Sequence, residues 1–205
     1  MELRVTAKAD SPAAADALIA PVEAEVRALL GGLVYGADVS GLEQVVLDGL
    51  RERGLTLGTA ESCTGGLIAK RITDVPGSAS VFMGGVVSYH CEVKAGVLGV
   101  SQALLDEKGA VCAEVAKEMA QGARKVLGCD VAVSATGVAG PDPDDWGNPV
   151  GLVFTALATP DGCWVKELNL VSQSARRDRT RNLAANHALD MVRRWLAGLN
   201  PEGTA

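Results

Sequence analysis

The stretch "GTAESCTGGLIAKRITDVPGS", residues 58–78, decides how the chain is read. An apolar run ends in it, a cluster of small residues follows (Ser62, Cys63, Thr64, Gly65, Gly66), and helical spacing then takes over. That order reads as a strand, a tight loop and a helix, the unit from which α/β folds are assembled. A small-residue loop placed there can cradle an anion on its backbone N–H groups, hold up a nucleophile, or simply turn the chain. Three standard signatures are missing: residues 58–66 hold neither G-x-x-x-x-G-K-[ST] nor G-x-G-x-x-G, and Ser62 lies between Glu61 and Cys63 rather than in G-x-S-x-G.

Outward from this unit the chain keeps alternating. The pattern predicts strand near 55–59, helix over about 65–72, strand over 82–89, helix over 92–98 and more helix between 101 and 125. A strand over 131–136 then enters "GVAGPDPDDWGNP", residues 137–149, whose Gly, Pro and Asp content makes it a loop. Runs over 151–158 and 163–170 are joined by "TPDG", a hairpin signal, so one antiparallel pair is expected in an otherwise parallel sheet. A last helix is expected over 178–196. Upstream, Ser40 and Glu43 have capping-box spacing, with Leu42, Val45, Val46 and Leu50 on one helical face. Residues 1–40 read as a separate β–α appendage: "ELRVTAKA" alternates like a strand, and "SPAAADALIAPVEAEVRALLGG" follows with helical spacing that Pro21 should kink or split. The resulting division is an appendage over 1–40, a main domain over 41–198 and a flexible tail over 199–205.

At 205 residues the chain has room for one full α/β domain and a short addition. Hydrophobic residues make up 48% but aromatics only 3%, so Ala, Val and Leu must build the core. A net charge of −6 argues against a general nucleic-acid binder, which needs a basic surface to neutralise phosphates. Five cysteines with no C-x-x-C pair point to a reducing compartment. With no secretory h-region and no apolar run long enough to span a bilayer, a cytoplasmic protein with no membrane partner is expected. The two histidines, His90 and His187, are far apart and lack ligand-spaced company, so neither a metal nor another cofactor is expected.

If the strands leading to Ser62 and Tyr89 are neighbours, their C-terminal ends meet where open α/β sheets bind ligands. "VVSYHCEVKAG" then offers Lys94 five residues after Tyr89. Desolvated there, a lysine becomes a usable base for a serine; in solvent it is an ordinary surface cation. Cys63 is the rival nucleophile or a small buried hydrophobe. "ATGVAGP", residues 135–141, offers Thr136, Gly137 and backbone N–H groups to an anion, or is only a turn. "SARRDRTR", residues 174–181, is basic in an acidic chain; Arg177 and Arg181 share a helical face that is either solvated or grips a phosphate.

Taken together, "TAESCTGG", "DVPGSASVFMGGVVSYHCEVKAGVLGV", "GAVCAEVAKEMAQGA", "SATGVAGPD" and "NPVGLV" resemble, in order and spacing, the CinA C-terminal domain family, whose enzymatic members are nicotinamide mononucleotide deamidases of the PncC type. The resemblance covers about residues 41–198 and implies a three-layer α/β/α sandwich with a mixed, mostly parallel sheet. It implies Ser62, Tyr89 and Lys94 as catalytic residues. Thr136 and Arg181 align with the family's strand-end Ser/Thr and late arginine, and the substrate-binding set is completed by Thr64, Gly65, Gly66, Gly137 and Arg177. His90-Cys91 stands where the family usually has Ser-Asn, and Ala175-Arg176-Arg177 where it has Gly-Asp-Arg. Residues 1–40 look like the tail of a linker domain that in full-length CinA follows a molybdopterin-binding-like domain, and the pyrophosphatase activity conferred by that domain is expected to be absent. The implied function is hydrolysis of nicotinamide mononucleotide to nicotinic acid mononucleotide and ammonia, in pyridine-nucleotide salvage or in a process linked to competence. A non-catalytic nucleotide-binding or regulatory module, and a Ser/Lys amidase on another carboxamide, remain the alternatives. A homo-oligomer is left open.

Overall fold

A computed structural model of the chain describes residues 2–170 and 176–203. They fall into two compact units, divided between Asp38 and Val39.

In the first unit, α1 (Pro12–Leu30) starts at an Ser11 N-cap whose side chain accepts from the Ala14 amide, and it buries none of its residues. Residues 2–9, expected as a strand, form none: their alternation finds no ladder partner, which a strand requires. Pro21 lies inside α1 without splitting it. The carbonyl it deprives belongs to Ala17, which is exposed, so water can satisfy it.

The second unit carries α2 (Leu42–Glu52), β1 (Leu57–Glu61), α3 (Leu67–Thr73), β2 (Phe82–Val87), α4 (Cys91–Leu98), α5 (Gln102–Lys108), α6 (Ala113–Leu127), β3 (Val131–Gly137), β4 (Leu152–Thr159), β5 (Gly162–Asn169) and α7 (Arg177–Leu196). The strands form one sheet in the order β2-β1-β3-β4-β5. β1 pairs parallel with both β2 and β3, and β4 pairs antiparallel with both β3 and β5. Only β4 therefore runs against the other four strands. The hairpin is where the spacing put it, but it brings two antiparallel ladders instead of one, because its first strand, β4, docks antiparallel beside β3 as well as pairing with β5.

Alternation along the strands sorts side chains to two helical layers. Leu57, Val131, Val133, Val153 and Leu157 meet α2, α3 and α7, with Leu50, Ile68, Leu189 and Val192 packed among them. Ala60 and Ala132 meet α4, α5 and α6 through Leu98, Leu105, Val115 and Met119, and Ala116 and Ala120 cover Phe154, Ala156 and Ala158. The expected capping box does not form: α2 starts at Gly41 without a side-chain cap. Glu43 instead pairs with Arg71 of α3, a charged partner that Ser40 cannot match. The helix between 101 and 125 is two helices, broken at Gly109, whose φ of +72 belongs to the left-handed region. Residues 199–203 are held to the body: Val165 N donates to Glu202, and Lys166 Nζ to the Gly203 carbonyl.

Candidate active site

β1 and β2 are neighbours, with Glu61 opposite Val87, and β3 lies on the other side of β1. The ladder continues one residue past each strand, since Ser62 N donates to the Ala135 carbonyl at 2.9 Å and Ser88 N to the Glu61 carbonyl at 2.9 Å. Ser62 and the chain leading to α4 are thereby fixed at the C-terminal end of the sheet. From the first turn of α4, Lys94 reaches back to them. Its Nζ lies 3.0 Å from Ser62 Oγ, 2.7 Å from the Ser88 carbonyl and 3.2 Å from the Tyr89 carbonyl.

Lys94 is 0% exposed, and burial lowers its pKa from the ordinary lysine value. The three contacts suit a neutral amine. Carbonyl oxygens only accept, so they take its two N–H donors, and the remaining lone pair is free for the Ser62 O–H. Cys63 has the opposite environment: packed into the α3/α7 side of the core, its thiol is pushed up to about 12 by burial, which leaves almost no thiolate at neutral pH.

The turn carrying Ser62 spans Ser62 to Gly66, and Gly65 and Gly66 have φ of +58 and +91, a left-handed geometry that glycine adopts without strain. The helix therefore starts at Leu67, two residues later than its spacing predicts. Gly65 N donates to the Ser62 carbonyl and Leu67 N to that of Thr64. The amides of Ile68 and Ala69 donate to the carboxylate of Glu61 at 3.0 and 2.8 Å. The Cys63 amide is turned to its own thiol, and those of Thr64 and Gly66 make no hydrogen bond within the protein. Thr64 Oγ1 and Ser88 Oγ are buried and make no hydrogen bond within the protein.

Tyr89 is 62% exposed, and its phenol oxygen accepts from Arg177 at 3.0 Å. The residue thus meets Lys94 through its carbonyl, while its side chain stands at the rim. Arg177 also donates to the Gly140 carbonyl in the loop after β3, and Arg181 donates to the Thr64 carbonyl at 2.7 Å. The first turns of α7 therefore reach both loops of the site. A Cβ on Gly65 would lie 3.3 Å from Arg181 Nη2. Thr136 Oγ1 donates to the Ala110 carbonyl at 2.7 Å, so the hydroxyl's proton is already used. Val138 N donates to the Leu152 carbonyl, so Gly137, opposite Val153, turns its N–H away from β4 and towards the Ser62 side, and Gly137, Ala139 and Gly140 are the amides this segment offers to an anion. Of the unusual pair, His90 is exposed and faces Glu92, and Cys91 packs against the α4–α6 core. Ala175 lies outside the described residues.

Sequence reasoning missed Glu61. A charged residue ending a fully buried five-residue strand was its signal, but the amides it serves lie seven and eight residues ahead, outside any local capping pattern. Among the described residues no group of three or more His, Cys, Asp or Glu is placed to hold a metal ion, and no helix is long and apolar enough to cross a membrane.

Fold and site together define an α/β/α domain with a buried lysine hydrogen-bonded to a strand-end serine. The model of the CinA C-terminal domain matches residues 39–196, that of the damage-inducible protein CinA KH domain matches residues 1–36, and the chain belongs to the CinA family. A CinA-like protein of Desulfovibrio desulfuricans is 48% identical over 202 residues, covering 98% of this chain and 48% of that protein. Another, from Frankia casuarinae, is 49% identical over 197 residues, covering 96% and 45%. The chain thus spans about half the length of these curated relatives. Among solved structures, the competence/damage inducible protein CihA from Agrobacterium tumefaciens superposes with a TM-score of 0.71 at 34% identity, covering 78% of this chain and 96% of that one. A CinA superfamily protein from Klebsiella pneumoniae gives 0.73 at 29% identity, covering 77% and 96%.

Proposed function

We propose that the protein is an amidohydrolase that converts nicotinamide mononucleotide to nicotinic acid mononucleotide and ammonia. The observation that carries the reading is the 3.0 Å contact between Ser62 Oγ and the Nζ of a fully buried Lys94, whose other hydrogen bonds go to the Ser88 and Tyr89 carbonyls. Lys94 takes the serine proton as Oγ bonds to the carboxamide carbon. The oxyanion then meets the amides of Thr64 and Gly66, at about 3–4 kcal/mol of transition-state stabilisation for one well-placed donor.

Collapse of that intermediate needs a proton on the leaving nitrogen, since amide anion is too basic to depart. Arg177 occupies a lone pair of the Tyr89 phenol and leaves its O–H proton available. Tyr89 relays that proton to the nitrogen and is recharged from Lys94 through intervening solvent, since its phenol stands at the rim and only its backbone carbonyl meets Lys94. Ammonia leaves, water attacks the acyl-serine with Lys94 again as base, and the carboxylate product departs. The substrate phosphate is held by Arg177 and Arg181, with spare N–H donors beyond their carbonyl contacts, and by the Gly137, Ala139 and Gly140 amides. No metal or other cofactor takes part in this scheme.

Ammonia release from the mononucleotide, the riboside and free nicotinamide tests the reading. Turnover is expected on the mononucleotide, far less on the other two, and none after Ser62→Ala, while Cys63→Ser keeps most of it. Tight binding of the mononucleotide without ammonia would make the domain a nucleotide-binding module. Preference for an unrelated carboxamide would make it a different amidase.

A further inference from the structure

Glu61 ends β1, adjoins Ser62 in sequence, and is 1% exposed. A carboxylate is costly to bury unless its oxygens are hydrogen-bonded or paired. Here both oxygens are occupied by backbone amides, Oε2 by Ile68 N and Oε1 by Ala69 N. These are the second and third residues of α3, where an N-cap side chain would ordinarily bond. The N-cap position is Gly66, which has a left-handed φ and no side chain to offer. The cap comes instead from the far side of the turn, and it ties the residue before Ser62 to the helix after it.

We propose that Glu61 is the positioning residue of the nucleophile turn, its carboxylate clamped on the Ile68 and Ala69 amides so that Ser62 Oγ stays on Lys94 Nζ. The clamp also removes the α3 amides from competition for negative charge, which directs the oxyanion to the turn. This inference rests on the Ser62–Lys94 hydrolysis proposed above. It acts through geometry: Glu61 is not among the groups that shift Lys94.

The test is the rate at which a fluorophosphonate labels Ser62, read by mass spectrometry of the Ser62 peptide across pH, beside turnover of nicotinamide mononucleotide. Glu61→Gln keeps the size but sets an NH2 group against a backbone N–H. It should slow labelling and kcat together by up to about 100-fold, the scale of an ångström-level misplacement, with KM little changed and the pH midpoint of labelling unmoved. Glu61→Asp keeps the charge one methylene short and should fall between; it carries the comparison alone if the glutamine variant does not fold. Labelling and kcat equal to the parent in the folded variants, with only a lowered Tm, would overturn the inference and leave hydrolysis standing. A parent that neither labels at Ser62 nor releases ammonia would overturn the hydrolytic reading and this inference with it.

Discussion

In the proposed reaction Lys94 meets two opposed demands, because a base for the Ser62 proton must be uncharged while water favours the protonated amine. Its burial lowers its pKa, so log kcat/KM should rise with unit slope below the lowered value and flatten above it. Lys94→Arg should be nearly inactive, since guanidinium stays protonated, and Lys94→Met inactive for want of any base. Turnover by the arginine variant would show that the position supplies charge instead. The same shift acts on stability. Between the folded pKa and the unfolded value of about 10.4, the unfolded chain holds the extra proton, so stability rises with pH by up to about 1.4 kcal/mol per unit. Below that window both states are protonated and the cost of burying the charge is complete; above it the cost is gone. Urea denaturation should therefore show Lys94→Met gaining most over the parent at the acid side of the window and losing the advantage as pH approaches about 10.4.

At the scale of elements, the position of Lys94 depends on how closely α4 crosses α6. A Cβ on Gly122 of α6 would lie 2.0 Å from the Leu98 carbonyl oxygen and 2.8 Å from its carbon, at the C-terminal end of α4. Backbone cannot yield as a side chain can, so Gly122→Ala must push the helices apart. A loss of about 1–3 kcal/mol is expected in denaturant titration, the usual range for overpacking. The displacement also carries Lys94 from Ser62, so kcat should fall while the affinity for the mononucleotide, set on the other side of the site, changes little. Unchanged kcat with lowered stability would show that α4 is anchored by its Lys94 contacts rather than by α6. Element positions were largely legible in the sequence because helical and strand periodicity are local. Boundaries were less so: β1 runs Leu57–Glu61 instead of starting near residue 55, since Leu55 N closes the end of α2 on the Leu50 carbonyl and Thr56 bonds Asp130.

Across the whole molecule, the three cores draw their buried residues from Val46 onward. A chain lacking residues 1–38 is therefore expected to fold, with Tm within about 3 °C of the parent, the shift that roughly 1 kcal/mol makes in a domain of this size. Thermal unfolding of the shortened chain measures this, and a collapse of Tm would show that the second unit relies on the first. The sheet order does the rest of the assembly, because three parallel strand ends bring together the Ser62 turn, the approach to α4 and the loop to Gly140.

By itself the sequence determined the repeating strand–loop–helix order, the hairpin, the small-residue turn with Ser62, and the lysine one short segment beyond the next strand. These are patterns of neighbours along the chain, and backbone sterics and hydrophobic periodicity act at that range. Only the tertiary structure decided that Lys94 is buried against carbonyls, that Tyr89 meets it by backbone while its phenol goes to Arg177, that Glu43 leaves its cap for Arg71, and that Glu61 caps α3 across the turn. Each is a choice among partners distant in sequence or across a turn, settled by which hydrogen bond survives once packing has removed water.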